Sequence, residues 1–181
     1  MKSLPKILLI VIVAVIAGCS VGNDSNTWEE YADWRNANDA WLESKLEQTS
    51  YYRKVVPNWD PTAFVLIHYF NDRTKTMKNL SALATSTVDV KYHGRLYNDE
   101  PFDSSYRQTT YGDSIFRTKA NAVIVGWTIA LEDMRVGDTC EVIVPYRQAY
   151  GANSTTAIPP YSNLVFGIKF VDIPNYETPS K

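Results

Sequence analysis

The stretch Val88-Asp89-Val90-Lys91-Tyr92-His93 alternates apolar and polar side chains residue by residue. A period of two is the signature of a half-buried strand, because successive side chains point to opposite faces of a sheet. Directly after it, Gly94 and the polar run Asn98-Asp99-Glu100 lead into a turn. The same period returns downstream in Cys140, Val142 and Val144, and again in Leu164, Phe166, Ile168 and Phe170. Upstream, Ala63-Phe64-Val65-Leu66-Ile67-His68-Tyr69-Phe70 is a compact apolar run that stops at Asn71-Asp72, and residues 73–86 are polar and loop-like. Between the strand patterns, Trp127, Ala130, Leu131 and Met134 recur at helical spacing and predict a short one-faced helix, ended by Val136-Gly137-Asp138. Strands outnumber helices and the connections are too short for parallel crossovers. The expected class is α+β, an antiparallel sheet with one short helix against one face.

N-terminal to this unit the pattern is helical. Thr27-Trp28-Glu29-Glu30 has the form of a capping box, and Trp28, Tyr31, Trp34, Trp41, Leu42 and Leu46 follow at roughly helical spacing to about residue 48, before Pro57 and Pro61. Such a stripe either packs on its own domain or pairs with a second copy. Earlier still, Lys2 and Lys6 precede an unbroken apolar run over residues 7–16 and the small pair Ala17-Gly18. That is the layout of a secretory signal, and the run is too short to span a bilayer. Ile16-Ala17-Gly18-Cys19 resembles the bacterial lipobox, in which the cysteine is acylated and becomes the new N-terminus. The expected organisation is a lipoprotein signal peptide over residues 1–18, a tether over 19–26 and a helical extension over 27–61. The sheet domain follows over 62–173, with a polar tail over 174–181. The expected location is the bacterial cell envelope, most simply the outer membrane, with the lipid on Cys19 as the membrane partner.

Composition narrows the function. Over 181 residues, 45% hydrophobic and 21% charged content describe an ordinary globular chain. A net charge of −2 offers no basic stripe for phosphates, so nucleic acid is not an expected partner. Twelve tyrosines and five tryptophans supply both core and the lining of apolar clefts. Cys140 lies in an alternating strand pattern and reads as a small buried hydrophobe. With His68 and His93 the only histidines and no cysteine cluster, no metal site is expected. Motifs of hydrolases and phosphoryl-transfer enzymes are missing, and neither histidine has a nucleophile at useful spacing. Any catalysis here should need no strong acid, base, nucleophile or cofactor.

Six blocks carry a resemblance. Tyr92-His93-Gly94-Arg95-Leu96 with Phe102-Asp103-Ser104-Ser105, Val123-Ile124-Val125-Gly126-Trp127, Met134-Arg135-Val136-Gly137, Ala149-Tyr150-Gly151-Ala152, Ile158-Pro159-Pro160 and Leu164-Val165-Phe166 are similar, in order and nearly in spacing, to blocks of FKBP-type peptidyl-prolyl isomerases. The resemblance runs from about Thr62 to Ile173. It implies a sheet half-wrapped around the short helix, with a proline-sized pocket between them. Carried over, it implies catalytic roles for Tyr92, Asp103, Ile124 and Tyr150, with the Ile124 N–H and the Tyr150 hydroxyl as donors. Phe102, Val123, Trp127, Ile158 and Phe166 would bind substrate, Trp127 as floor at the first position of the helix. Proline-containing polypeptides are the implied partners, with tacrolimus-type macrolides as further ligands. The sequence departs from the family pattern before Val123, where Lys119-Ala120-Asn121-Ala122 replaces glycines, and in a long stretch over 106–113 that leaves Phe116 or Ile115 to fill the place of the family's usual aromatic. An FKBP-like binding module or a chaperone with little turnover is the competing reading. For the leader, mass spectrometry of the mature protein is expected to find acylated Cys19 as the N-terminal residue. Unmodified Cys19, or cleavage elsewhere, would contradict it.

Overall fold

The computed structural model describes residues 24–174 and residue 176. The expected signal peptide, Cys19 and most of the expected polar tail lie outside the described residues. In chain order the elements are α1 (Asp24–Glu30), α2 (Ala32–Leu46), β1 (Arg53–Val55), β2 (Val65–Tyr69), β3 (Thr87–Leu96), β4 (Pro101–Ser104), β5 (Phe116–Lys119), α3 (Val125–Asp133), β6 (Thr139–Val144) and β7 (Leu164–Asp172). The strands form one antiparallel sheet in the order β1-β2-β6-β7-β3-β4, and β5 also pairs with β3. The α+β expectation is met.

The two faces of the sheet do different work. Val65, Ile67, Val88, Val90, Tyr92, Val142, Val144, Phe166, Ile168 and Phe170 enclose the main core together with α3. α3 itself starts at Val125 and ends at Asp133, so Trp127 is its third residue and not its first. It is also not one-faced: every residue from Gly126 to Leu131 is buried. Between sheet and loops there is no wet side for a polar stripe, and such a helix reads apolar all round. Gly137 lies in the turn beyond the helix at φ +96°, with extended Met134 as the C-cap.

The opposite, outer face carries a cross-strand row, Leu66 beside Ile143 and Ile143 beside Val165. Those three and Tyr52 are buried under Trp41, Leu42, Leu46 and Phe64, so the second half of the N-terminal stripe packs on its own sheet, while Trp28 and Trp34 meet other parts of the same chain. This is also why Val165 is buried although it alternates out of step with Phe166. The single helix expected over 27–48 is two helices. Residues 24–26, read as tether, are already helical, and Tyr31 (φ −104°, ψ 21°) breaks the run between α1 and α2. Thr27 therefore lies inside α1 and does not cap it.

Candidate active site

Tyr92 sits where the outer neighbour of β3 changes. Up to Val90 that neighbour is β5, and from His93 it is β4. Buried Ser105, just past β4, fills the gap: its N–H donates to the Tyr92 carbonyl at 3.0 Å and its hydroxyl accepts the Tyr92 N–H at 2.9 Å. With its backbone satisfied in this way, Tyr92 buries its ring completely among the core residues under β3. Its hydroxyl donates to Asp103 Oδ2 at 2.6 Å. Burial pushes the Tyr92 phenol well above the usual tyrosine range, and the hydrogen bond to Asp103 and its charge push further in the same direction.

Around Trp127 the rings form a cage. Tyr92, Phe166 and Phe116 meet the indole edge-on, at centroid distances of 5.0, 5.2 and 6.2 Å and interplanar angles of 87°, 88° and 85°. Edge-to-face contact is the favoured arrangement for aromatic pairs. Phe102 stands edge-on to Phe166 at 5.6 Å. This pair depends on Gly94, where a Cβ would fall 2.6 Å from Phe102 Cζ and 2.9 Å from Phe166 Cε1. Phe116, not Ile115, therefore supplies the aromatic that the sequence left open between them. Ile115 is buried without joining the ring cluster.

The cage has a buried floor and a wetter rim. Trp127, Tyr92 and Phe166 are buried, whereas Phe102, Asp103, Val123, Ile124 and Tyr150 are half-buried. Ile124 is the N-cap of α3, and its N–H donates to no group among the described residues. Free N–H groups are the ordinary condition of a helix start. The Tyr150 hydroxyl likewise has no intramolecular partner among the described residues. Its phenol is held above the usual range, first by burial and then by the charge of Asp103. The indole Nε1–H of Trp127 is buried and has no partner among the described residues either. Ile158 is buried in the main core, on the same 145–163 connection as Tyr150. The sequence blocks named nearly all of these residues. They did not single out Ser105 as the bridge to Tyr92, because a buried serine leaves no hydropathy signal.

Comparison with known proteins bears on the family and the fold. A family model described as FKBP-type peptidyl-prolyl cis-trans isomerase matches residues 79–171, more than half of the chain. The chain belongs to that family. It is 35% identical over 89 residues to the Escherichia coli FKBP-type peptidyl-prolyl cis-trans isomerase FkpA, a match covering 49% of this chain and 32% of that protein. To the macrophage infectivity potentiator of Trypanosoma cruzi it is 40% identical over 89 residues, covering 47% of this chain and 42% of the relative. The chain thus spans less than half the length of these relatives. The crystal structure of FkpA superposes with a TM-score of 0.62 at 25% identity, covering 81% of this chain and 62% of FkpA. A peptidyl-prolyl isomerase structure from Pseudomonas syringae pv. tomato gives a TM-score of 0.64 at 24% identity, covering 83% and 98%, a likeness of fold.

The raised Tyr92 phenol makes a prediction about stability at high pH. Because the folded protein holds this proton more tightly than the unfolded chain, the contribution is complete below about pH 10 and is lost as pH rises above it. Tyr92→Phe should cost about 1–3 kcal/mol at neutral pH by deleting the bond to Asp103. It should also make the alkaline loss of stability shallower by one proton, about 1.4 kcal/mol per pH unit. Urea unfolding at neutral and alkaline pH checks both. An unchanged alkaline slope would show that Tyr92 does not carry the proton.

Proposed function

We propose that this protein catalyses cis-trans isomerisation of X–Pro peptide bonds in extracytoplasmic polypeptides, with the rings around Trp127 as the proline site. The observation that carries the reading is the pairing of a buried aromatic floor with two donors at its rim, Ile124 N–H and Tyr150 OH, that have no intramolecular partner among the described residues. An apolar ring fits the floor, and the donors suit the carbonyls that flank it.

The chemistry asks for little more. Rotation about the amide must overcome a barrier of about 18–20 kcal/mol, because resonance is lost on twisting. The twisted amide is less polar than the planar one, so leaving water costs the transition state less than the ground state. A dry aromatic site stabilises the first over the second, which is what accelerates a reaction. A differential of about 6 kcal/mol corresponds to roughly 10⁴-fold. No bond to a side chain forms and no proton changes hands. Asp103 holds the Tyr92 hydroxyl, and through it the ring. Tacrolimus-type macrolides are proposed ligands of the same cleft, and lipid on Cys19 at the cell envelope is the proposed anchor.

A protease-coupled assay with X–Pro tetrapeptides tests the reading. The protein should accelerate isomerisation, and Trp127→Ala and Phe102→Ala should each lower kcat/KM by on the order of tenfold or more through lost wall. Turnover no faster than buffer across varied X residues would leave a binding module or chaperone as the function.

A further inference from the structure

Between β6 and β7 the chain makes a long excursion over residues 145–163, and that excursion carries both Tyr150 and Ile158. It is gathered at a neck. Tyr146 donates its N–H to Asn163 Oδ1 at 2.9 Å, Gly151 donates to the Tyr146 carbonyl at 2.9 Å, and Tyr161 donates to the Gly151 carbonyl at 2.8 Å. Tyr150 is thus one residue from the centre of the neck. Its tip, residues 153–156, is exposed.

The neck does not stand by itself. Asn38 of α2 is fully buried: its Oδ1 accepts the Asn163 N–H at 2.8 Å, and its carbonyl accepts Asn163 Nδ2 at 2.6 Å. The Asn38 amide is oriented by its own bond to the Trp34 carbonyl at 2.9 Å. One turn earlier, Trp34 Nε1 donates to Ser162 Oγ at 3.0 Å, and Ser162 donates on to the Pro159 carbonyl at 2.7 Å. Beside these bonds Tyr161 holds φ +59°, a left-handed conformation that a bulky side chain adopts only when its surroundings enforce it. Its surroundings come in large part from the N-terminal helices. Trp28 meets its ring edge-on at 5.5 Å, the Arg35 guanidinium lies 5.7 Å from it, and Thr27 Oγ1 is 3.4 Å from its hydroxyl. Tyr146 closes the other side at 5.7 Å.

We infer that α1 and α2 are a brace that fixes the Tyr150 loop, with Asn38 and Trp28 as positioning residues for isomerase turnover. The side chains of α2 divide along its length. Trp41, Leu42 and Leu46 glue the helix to the outer face of the sheet. Trp34 and Asn38 reach instead for the loop, and Arg35 donates to the Trp28 carbonyl and stacks on the Trp28 ring, which in turn meets Tyr161. Buried Arg35 and Asn38 would be wasteful in a helix whose only task was to cover Leu66, Ile143 and Val165. A fully satisfied buried polar network instead specifies one geometry for what it binds. Because Tyr150 matters here as a donor in X–Pro isomerisation, the brace rests on that reading.

The experiment uses the full chain and compares Asn38→Ala, Trp28→Ala and Leu46→Ala. Leu46→Ala weakens the same helix at the end remote from the neck. It should lower thermal stability with kcat/KM unchanged. Asn38→Ala and Trp28→Ala should lower kcat/KM by on the order of tenfold, since small misplacement of an active group is costly. In a cycle with Tyr150→Phe the Asn38→Ala loss should disappear, because a residue acting through Tyr150 has nothing left to position. Amide exchange over 149–158 should quicken in Asn38→Ala and stay as wild type in Leu46→Ala. Should Asn38→Ala fold poorly, Trp34→Phe keeps an aromatic ring at the position and deletes the Ser162 bond, and is expected to act in the same direction. Wild-type kcat/KM in Asn38→Ala and Trp34→Phe, or losses that simply add to Tyr150→Phe, would overturn the brace while leaving the isomerase. A wild-type chain without turnover would overturn both.

Discussion

A Cβ on Gly126 would sit 2.3 Å from Cγ1 of Val144, so α3 lies against β6 at a separation that only a residue without a side chain permits. The next residue is Trp127. With the helix pressed onto the sheet, its indole is held beneath Tyr92 on β3 and Phe166 on β7, close enough for both rings to stand edge-on to it. The same placement brings the start of α3 to the rim of the cage, where the unpaired Ile124 N–H belongs to no helical turn. A helix shifted outward by one methyl would loosen the floor and move the donor together. Floor and donor therefore share one geometric origin.

That arrangement leaves the other face of the sheet to be covered separately. The row Leu66, Ile143 and Val165 could not face water along its length without exposing a contiguous apolar patch, and α2 covers it with Trp41, Leu42 and Leu46. The electrostatic ties on this side are few but specific: Tyr52 donates to Glu141 Oε1 at 2.6 Å, and Arg95 pairs with Glu141 Oε2 at 2.8 Å. One sheet thus presents the candidate cleft inside and a helical cover outside. The loop after β6 touches both.

How much of this could be read from the residues depends on how each element buries itself. β3 alternates over six residues, and β6 and β7 repeat the period, so all three are legible. β1, β4 and β5 are three or four residues long and mostly half-exposed, and no periodicity can show in so short a run. The break at Tyr31 is invisible to a helical wheel, because Trp28 and Trp41 are both apolar yet turn to different partners, Tyr161 and the outer sheet face. Of the site, the rings, Asp103 and Tyr150 are legible through their motif blocks. Phe116 is ambiguous because the stretch over 106–113 blurs the register. Asn38 and Asn163 escape altogether, and Ser105 is legible only as a member of its block and not as the bridge to Tyr92: each is polar, fully buried and partnered across the fold, and hydropathy alone marks such residues as surface.

The central claim is that the site works by excluding water around neutral donors and not by moving protons. The phenols of Tyr92 and Tyr150 both hold their protons more firmly than a free tyrosine. The direct test is the pH dependence of kcat/KM on an X–Pro peptide, for the wild type and for Asp103→Asn, which keeps the shape of the side chain and removes its charge. The account predicts a profile nearly flat from about pH 6 to about pH 8 in both proteins, with Asp103→Asn retaining most of the activity. A bell-shaped profile in the wild type that vanishes with activity in Asp103→Asn would mean that the carboxylate takes part in the chemistry, and would contradict it.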